Sequence, residues 1–436
     1  MKENNLHKQY PFKQVKEVAS VVRNVSAIGK VILILGQPGT GKSVFMKQLY
    51  DELNNEIDYL TAIRAEFLKE TDSPEQVYNE FKKVENEDKP KVLLLDSLDI
   101  LAYSRRKELQ EWLYYIDKMK EIKGMTVVCA SRGFEANHLY PMNAQNWSQK
   151  ITIEPLPNDF IKEVLAELNY DFNSLSNQMQ KFLSVPLHLR VAVDIIQSGG
   201  EIKDVRNIEG LYTKLMEVLE ISSNEINVLS SLSELMIENR TTCLFYPPLN
   251  AELLNMTRQM ERPAISAIIQ IDDKYQSLSF THQTFIDYFA ALKVINENKS
   301  LKDFIIEHNQ SLFIRPTLRY IISFLRSSSE QRLVEELSNV FFENSTQNIG
   351  FVKTGINFHI KASLLAEIAS WEDPDEVEAN FLIRIFNDKE LGKDYTIQFF
   401  DKRPDISWYY LLKDKYIISL LKENSSPDVR YQYVLG

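Results

Sequence analysis

The segment from Gly36 to Ser43 has the residue types and spacing of a loop that cradles phosphate groups. It reads GQPGTGKS, which fits the pattern GxxxxGK[ST]. Glycines at these spacings let backbone N–H groups converge on phosphate oxygens, and a helix that begins at the loop adds its partial positive charge. Lys42 is placed to neutralise the β- and γ-phosphates, and the Ser43 hydroxyl to bind Mg²⁺. The predicted nucleotide-binding residues of this loop are Gly36, Gln37, Pro38, Gly39, Thr40, Gly41, Lys42, Ser43 and Val44.

The residues on either side of the loop give the motif the context that it requires. A β-branched apolar run, KVILIL at 30–35, precedes it, and apolar residues at helical spacing follow it from 43 to 53. The loop is therefore predicted to join a buried strand to a helix. A chance match that binds no nucleotide would fall anywhere along the chain, so its position here argues for phosphate binding.

Acidic and basic side chains follow two further apolar runs. Asp96 ends the run VLLLD about 50 residues after Lys42, where a carboxylate near the metal is expected; the alternative is an aspartate that caps a turn. Asp99 either polarises the attacking water or caps the next helix. Arg132 follows the run MTVVCAS and would emerge at the carboxyl end of a sheet, where ligands bind, unless it forms a surface salt bridge. The predicted catalytic residues are Lys42, Asp96, Asp99 and Arg132, and the predicted metal ligands are Ser43 and Asp96.

These side chains need a parallel sheet to bring them together. Strands are predicted at 30–36, 59–64, 91–96, 125–130 and within 147–155, and segments with helical periodicity alternate with them. Such alternation is typical of an α/β domain with a parallel sheet and helices on both faces. We assign residues 1–156 to this P-loop NTPase domain.

Beyond residue 157 the pattern becomes helical. Amphipathic segments at 159–168, 175–183 and 186–197 predict a helical domain at 157–210. A helical stretch at 211–238 and a hairpin near 274–282 predict a winged helix at 211–298. From 299 to 436, helices of about 12 to 20 residues succeed one another in the manner of a HEAT-like array without a strict repeat. Because the chain stops just behind an apparent helix, this last region is expected to be part of a longer one.

Composition limits the partners and the compartment. The net charge is −11, which argues against an extended nucleic-acid footprint. Cys129 and Cys243 are far apart, so neither a disulfide framework nor a structural zinc site is expected. No signal peptide and no run of about 18 apolar residues is present. We therefore expect a cytoplasmic protein that neither spans a membrane nor takes nucleic acid as its default partner.

Four motifs together resemble the NACHT-type branch of the STAND family, the signal-transduction ATPases with numerous domains. They are GQPGTGKS, LLLDSLD at 93–99, CASRG at 129–133 and FTHQTFIDYFAA at 280–291, in the order that the family has them. The resemblance implies a P-loop domain followed by a helical domain, a winged helix and a C-terminal helical or repeat region. It covers residues 12–295 well and the remainder weakly.

The resemblance also implies roles for individual residues. Arg132 would be the sensor of the γ-phosphate, and Pro186 in SVPLHL would be the helical-domain proline near the base. His282 would reach the β-phosphate and lock a closed, ADP-bound state; without the resemblance, a satisfied core histidine is the simpler interpretation. The family commonly has an acidic residue directly after its second aspartate, where this chain has Ile100. That difference favours slow hydrolysis, which suits a switch.

The leading hypothesis is a nucleotide-controlled signalling ATPase of bacterial antiviral defence, closed with ADP and oligomeric with ATP and Mg²⁺. Its partners would be further copies of itself, a protein trigger and an effector on another polypeptide or beyond residue 436. Two alternatives remain open. One is an AAA+-like ATPase that acts on nucleic-acid machinery, and the other is a scaffold that binds nucleotide structurally and recruits a protein. ATP is preferred over GTP by resemblance, since no guanine-specific NKxD motif is present in a suitable place.

Overall fold

The structure is a computed structural model that describes residues 12–68, 73–205, 207–246, 251–260, 262–273, 276–342, 355–402 and 404–418. Contacts between Cα atoms divide the chain into two compact units. The first unit takes residues up to 206 together with 210–221 and 239–284. The second takes 207–209, 222–238 and the residues from 285 onward. The predicted domain boundaries stay predictions, and the predicted incomplete end of the chain lies outside the described residues.

A five-stranded parallel sheet forms the centre of the first unit. Its strands are β1 (Lys30–Leu35), β2 (Tyr59–Arg64), β3 (Lys91–Asp96), β4 (Met125–Ser131) and β5 (Gln149–Thr152). They lie in the order β2-β3-β4-β1-β5, and each neighbouring pair is parallel. All five lie where the apolar runs predicted them.

Alternate side chains of these strands point to opposite faces, and helices cover both faces. Val31, Leu33 and Leu35 of β1 join a core that includes Trp112 and Ile116 of a helix on one side. On the other side, Ile32 and Ile34 pack with Phe45 and Leu49 of the helix that follows the loop and with Val18 of the first helix. The predicted arrangement, helices on both faces of a parallel sheet, is confirmed.

The helices of the sheet domain alternate with its strands. They are α1 (Lys13–Arg23), α2 (Lys42–Leu53), α3 (Pro74–Lys83), α4 (Leu101–Ser104), α5 (Arg106–Met119) and α6 (Gly133–His138). Most of the chain between residues 42 and 138 therefore consists of crossover connections that return the backbone to the same edge of the sheet.

The remainder of the first unit is helical, with a small antiparallel sheet. The helices are α7 (Asn158–Glu167), α8 (Asn177–Leu183), α9 (Pro186–Gln197), α10 (Ile208–Val218), α12 (Ala251–Gln259) and α13 (Pro263–Ser266), of which α10 also extends into the second unit. The strands are β6 (Cys243–Phe245), β7 (Ile269–Asp272) and β8 (Ser277–Phe280), paired in the order β6-β8-β7. The hairpin predicted near 274–282 is formed by β8, which lies within that range, and β7, which lies just upstream of it, and β6 adds a third strand that the sequence analysis missed.

The second unit contains α11 (Ser223–Glu238) and all but the first two residues of α14 (Gln283–Asn296), and it is helical in its described residues. The stretch predicted as helical from 211 to 238 is broken between α10 and α11, where Glu220 has a φ of 51°. The further helices are α15 (Leu301–Glu307), α16 (Arg315–Ser328), α17 (Glu330–Phe342), α18 (Phe358–Ala369), α19 (Glu376–Phe386), α20 (Gly392–Phe400) and α21 (Ile406–Leu412). Among the residues described, no helix is both long and apolar enough to cross a membrane.

Candidate nucleotide-binding site

The strand order places the loop 36–41 at the point where the sheet reverses its direction of growth. From β1 the chain crosses to β2 at the edge, returns through β3 to β4 beside β1, and then adds β5 on the other side of β1. In open parallel sheets, ligands bind outside the carboxyl ends of the strands at such a reversal. The loop leaves the carboxyl end of β1 and begins α2, as its motif predicts.

Two glycines give the loop a backbone that other residues adopt only with strain. Gly39 has a φ of +82° and Gly41 a φ of +89°, both in the left-handed region. A Cβ atom on Gly41 would come within 2.8 Å of Cζ of Phe12, so the loop also lies against this aromatic ring. Phe12 in turn contacts the ring of Phe45 edge-on, with 5.7 Å between centroids. The sequence analysis missed Phe12, because a single phenylalanine before a helix carries no recognisable signal.

Lys42 lies over the loop that it helps to form. Its Nζ atom donates hydrogen bonds to the carbonyl oxygens of Gly36, at 2.9 Å, and Gln37, at 3.1 Å. Burial lowers the pKa of Lys42, and the charge of Asp99 opposes this shift. The charge of Asp99 thus stabilises the ammonium form of Lys42, while the neighbouring Ser43 is exposed.

Asp96 ends β3 and is buried. Its Oδ1 atom is inaccessible to solvent and has no hydrogen-bond partner among the described residues. A buried carboxylate oxygen without a donor is costly, and such exceptions are concentrated at functional sites. The orphaned oxygen disfavours the turn-capping alternative, in which a backbone N–H would donate to it, and fits a cation ligand.

Asp99 and Arg132 form a buried ion pair. Nε of Arg132 lies 3.2 Å from Oδ2 of Asp99, and the backbone N–H of Arg132 donates to Oδ1 of the same carboxylate at 3.2 Å. Each side chain is about 3% exposed, which excludes the surface salt bridge that the sequence left open. Burial raises the pKa of Asp99, and the charge of Arg132 opposes this shift. Asp99 therefore holds Arg132 at the carboxyl end of β4 in this conformation.

A second carboxylate and a tyrosine complete this cluster, and the sequence analysis did not identify either. Oε1 of Glu135 lies 3.9 Å from Nη1 of Arg132 and accepts a 2.6 Å hydrogen bond from the hydroxyl of Tyr103. Burial raises the pKa of Tyr103 well above its ordinary value, so the hydroxyl stays a neutral donor. The available signal was the spacing of Glu135, three residues after Arg132 and hence on the first turn of α6.

The region around Pro186 lies against the phosphate loop. Pro186 is the first residue of α9, and the backbone N–H of Leu187 donates to the carbonyl oxygen of Gly39 at 3.1 Å. A Cβ atom on Gly39 would lie 3.0 Å from Cβ of Leu187 and 3.5 Å from Cγ1 of Val185. The start of α9 and the loop are therefore in direct contact, although the role of Pro186 itself stays a prediction.

His282 lies immediately before α14 and is partly buried. Its contact with a β-phosphate remains a prediction, as does the individual role of Val44, which is partly buried on the first turn of α2.

The residues present are compatible with Mg²⁺ held together with nucleotide phosphates. Among the described residues, no group of three or more His, Cys, Asp or Glu side chains could hold a metal alone. Mg²⁺ is commonly bound by one or two protein oxygens, with water and phosphate oxygens completing its shell. The orphaned Oδ1 of Asp96 and the hydroxyl of Ser43 are oxygens of this kind.

Comparison with protein families supports the interpretation of the loop and the sheet. Residues 32–141 match the family model described as "ATPase family associated with various cellular activities (AAA)". The matched segment starts in β1 and runs through β4 to the end of α6, so it contains Lys42, Asp96, Asp99 and Arg132. Over these residues the chain is similar to AAA ATPase domains and forms a P-loop ATPase domain, and the predictions of nucleotide binding and ATPase activity are confirmed.

Solved structures with weaker similarity include Cdc6p from Pyrobaculum aerophilum, at 16% identity and a TM-score of 0.29, covering 68% of this chain and 98% of that one. The Orc1 protein of Aeropyrum pernix in complex with DNA has 12% identity and a TM-score of 0.31, covering 68% and 96%. A Walker-type ATPase of Pyrococcus abyssi has 14% identity and a TM-score of 0.34, covering 65% and 99%. Similarities at this level carry no argument about function. No curated protein matches the chain.

Proposed function

We propose that this chain binds ATP with Mg²⁺ at residues 36–43, hydrolyses it, and uses the bound nucleotide to control the position of α9. The observation that carries this proposal is the 3.1 Å hydrogen bond from the N–H of Leu187 to the carbonyl of Gly39. The loop that surrounds the phosphates is thereby bonded to the first turn of a helix outside the sheet. A change in the loop on binding ATP or releasing phosphate would pull on α9 directly.

Each side chain of the site has a defined task in this proposal. Lys42 would exchange the carbonyl oxygens of Gly36 and Gln37 for phosphate oxygens, and Ser43 and Asp96 would hold Mg²⁺. Bound Mg²⁺ would supply charge neutralisation at the phosphates. Asp99 accepts a hydrogen bond from the backbone N–H of Arg132 and forms an ion pair with its Nε, so it orients the guanidinium that would read the γ-phosphate.

The AAA match supports the alternative that the sequence left open, an AAA+-like ATPase that acts on nucleic-acid machinery. The net charge of −11 supports contact with the protein components of such machinery rather than direct binding of nucleic acid. Strong, salt-sensitive binding of the purified chain to duplex DNA would contradict this part of the proposal.

The second candidate is the STAND-type signalling switch, and one observation favours it. Ile100, which stands where that family commonly has an acidic residue, is buried. Its side chain supplies no carboxylate to polarise water, which supports slow hydrolysis and long-lived nucleotide states. This candidate predicts a homo-oligomer that forms with ATP, a protein trigger and a separate effector, with antiviral defence as the process.

The nucleotide proposal is tested by comparing the chain with its Lys42→Ala variant. We expect ATP to change hydrogen exchange at the amides of α9 in the unmodified chain and to leave exchange in the variant unchanged. The matched control is Lys47→Ala, which removes an exposed lysine from the same helix as Lys42. Exchange in α9 that does not respond to ATP, although ATP binds, would refute control of α9 by the loop.

Two further measurements separate the candidates. An AAA-type motor is expected to turn over ATP at about 1 s⁻¹ or faster, which is ordinary for enzymes. A STAND-type switch is expected to hydrolyse ATP far more slowly and to increase its mass by light scattering when ATP and its trigger are present. Rapid turnover by a chain that stays monomeric under all conditions would exclude the switch.

A further inference from the structure

The cluster around Arg132 contains a residue, Glu135, to which neither the motifs nor the ATPase reaction assigns a role. Glu135 is fully buried on α6, with its Oε1 atom 3.9 Å from Nη1 of Arg132. The same Oε1 accepts the hydrogen bond from Tyr103 on α4. A buried carboxylate is stable in a protein only when cations or donors compensate its charge, and here Arg132 and Tyr103 contribute that compensation.

The two carboxylates hold different parts of Arg132. Asp99 binds Nε and the backbone N–H, both at 3.2 Å, so it anchors the base of the residue. Glu135 faces the Nη end, which is the part that must turn toward a phosphate, and its distance of 3.9 Å makes this the weaker of the two ion pairs. The longer ion pair at the Nη end is therefore the one that a second anion could replace while Asp99 keeps its contact with Nε and the backbone.

We propose that Glu135 is a positioning residue that competes with the γ-phosphate for the Nη end of Arg132 and so reduces the preference of the site for ATP over ADP. This inference rests on the proposed function, in which Arg132 reads the γ-phosphate. The competition affects ATP more than ADP, because only ATP offers the group that replaces Glu135. The hydrogen bond from Tyr103 weakens the competition, since it takes up part of the carboxylate's charge.

Two conservative variants then have effects of opposite sign. Glu135→Gln keeps the shape of the side chain and an oxygen for Tyr103 but removes the competing charge. It should raise the ratio of affinities for ATP over ADP by about tenfold, in the range of ordinary coupling between groups in one site. Tyr103→Phe removes only a hydroxyl, leaves the full charge of Glu135 on Arg132, and should lower the ratio several-fold.

The experiment is calorimetric titration of the full chain with ADP and with the non-hydrolysable β,γ-imido analogue of ATP, both with Mg²⁺. The variants are Glu135→Gln, Tyr103→Phe, Arg132→Ala and the double variant Glu135→Gln with Arg132→Ala. Circular dichroism and thermal midpoints establish that each is folded. We expect Glu135→Gln to raise the ratio of affinities for the ATP analogue over ADP, and Tyr103→Phe and Arg132→Ala to lower it. In the double variant, Glu135→Gln should have no effect beyond that of Arg132→Ala.

Other outcomes separate the inference from the function on which it rests. If Arg132→Ala leaves the ratio unchanged, Arg132 does not read the γ-phosphate, and the proposed function fails at that residue together with this inference. If Arg132→Ala lowers the ratio while Glu135→Gln and Tyr103→Phe leave it unchanged or move it in the same direction, the competition proposed for Glu135 is refuted alone. A merely structural role would lower affinity for both nucleotides and leave their ratio constant.

Discussion

Substituting Gly39 by alanine probes the contact between the phosphate loop and α9 most directly. The residue has a φ of +82°, which an L-amino acid adopts at a cost of about 1–2 kcal/mol. The new Cβ atom would lie 3.0 Å from Cβ and 3.1 Å from Cδ2 of Leu187, closer than ordinary van der Waals contact. Displacing the start of α9 by a few tenths of an ångström adds about 1 kcal/mol. The total of about 2–3 kcal/mol corresponds to a loss in ATP affinity of about 30- to 150-fold if the loop must regain its conformation to bind.

A double variant separates the two parts of this cost. Leu187→Ala removes the Cδ2 contact and leaves the backbone strain at residue 39 unchanged. We expect the pair Gly39→Ala with Leu187→Ala to recover at most about fivefold in ATP affinity relative to Gly39→Ala alone. Only the Cδ2 share of the steric cost of about 1 kcal/mol is relieved, because alanine at residue 187 keeps the Cβ atom that lies 3.0 Å away. The control is Leu187→Ala alone, which retains the loop backbone and should bind ATP within a few-fold of the unmodified chain.

The assay is equilibrium binding of a fluorescent ATP analogue with Mg²⁺, together with urea unfolding of each variant. The free energy of unfolding shows how much of the strain at residue 39 remains in the nucleotide-free chain. The loss of ATP affinity shows how much of that strain appears only when the nucleotide binds. Two results would refute the reasoning. Unchanged affinity in Gly39→Ala would mean that the left-handed loop is not the conformation that binds. An absence of recovery in the double variant would mean that Cδ2 of Leu187 does not restrain the loop.

Three further predictions concern buried charges. Asp96→Asn should stabilise the nucleotide-free chain by about 1 kcal/mol in urea unfolding, since it removes an orphaned buried charge, and should slow Mg²⁺-dependent hydrolysis by at least about 100-fold. Lys91→Met should destabilise the chain by about 3 kcal/mol, because the buried Nζ donates to three backbone carbonyls at 2.7–3.1 Å, whereas Lys89→Met, at an exposed ion pair, should have little effect. Burial raises the pKa of Asp99 above its ordinary value of 3.8, so the folded chain binds a proton at this residue more tightly than the unfolded chain does. The contribution of Asp99 to the free energy of unfolding is therefore present below pH 3.8 and falls as the pH rises through the raised pKa. In Asp99→Asn, unfolding measured across that range should lose this component of its pH dependence, and an unchanged slope would contradict the assignment.

The sheet domain was predictable because each of its strands is an apolar run bounded by polar residues. Buried parallel strands need side chains that are apolar on both faces, and KVILIL and KVLLLD meet that need directly. The helix bounds followed from periodicity and from prolines at first positions, as at Pro74 and Pro186. Strand β6, with three residues, is too short to leave an alternating pattern, and the break at Glu220 carries no glycine or proline to mark it.

Site residues next to strand ends were predictable for the same reason, since parallel topology brings the ends of β1, β3 and β4 to one edge. What the sequence does not contain is the pairing among them. That Asp99 binds Arg132 rather than solvent depends on the crossing of the chain between β3 and β4, and Glu135 and Tyr103 reach the same point from different helices. The contact of Leu187 with Gly39 joins residues almost 150 positions apart and follows no local pattern.

The charges that meet at this edge determine how nucleotide can be bound. Lys42 and Arg132 supply two positive charges, and Asp96, Asp99 and Glu135 supply three negative ones, so the site is net negative when all five are ionised. The phosphates of ATP add further negative charge in a region of low dielectric constant, where like charges repel strongly. We therefore expect ATP to bind well only when a divalent cation accompanies it and Arg132 is released from one of its carboxylates. If Arg132 reads the γ-phosphate as proposed, the second condition applies to ATP and not to ADP, and the cluster around Arg132 would then distinguish the two nucleotides.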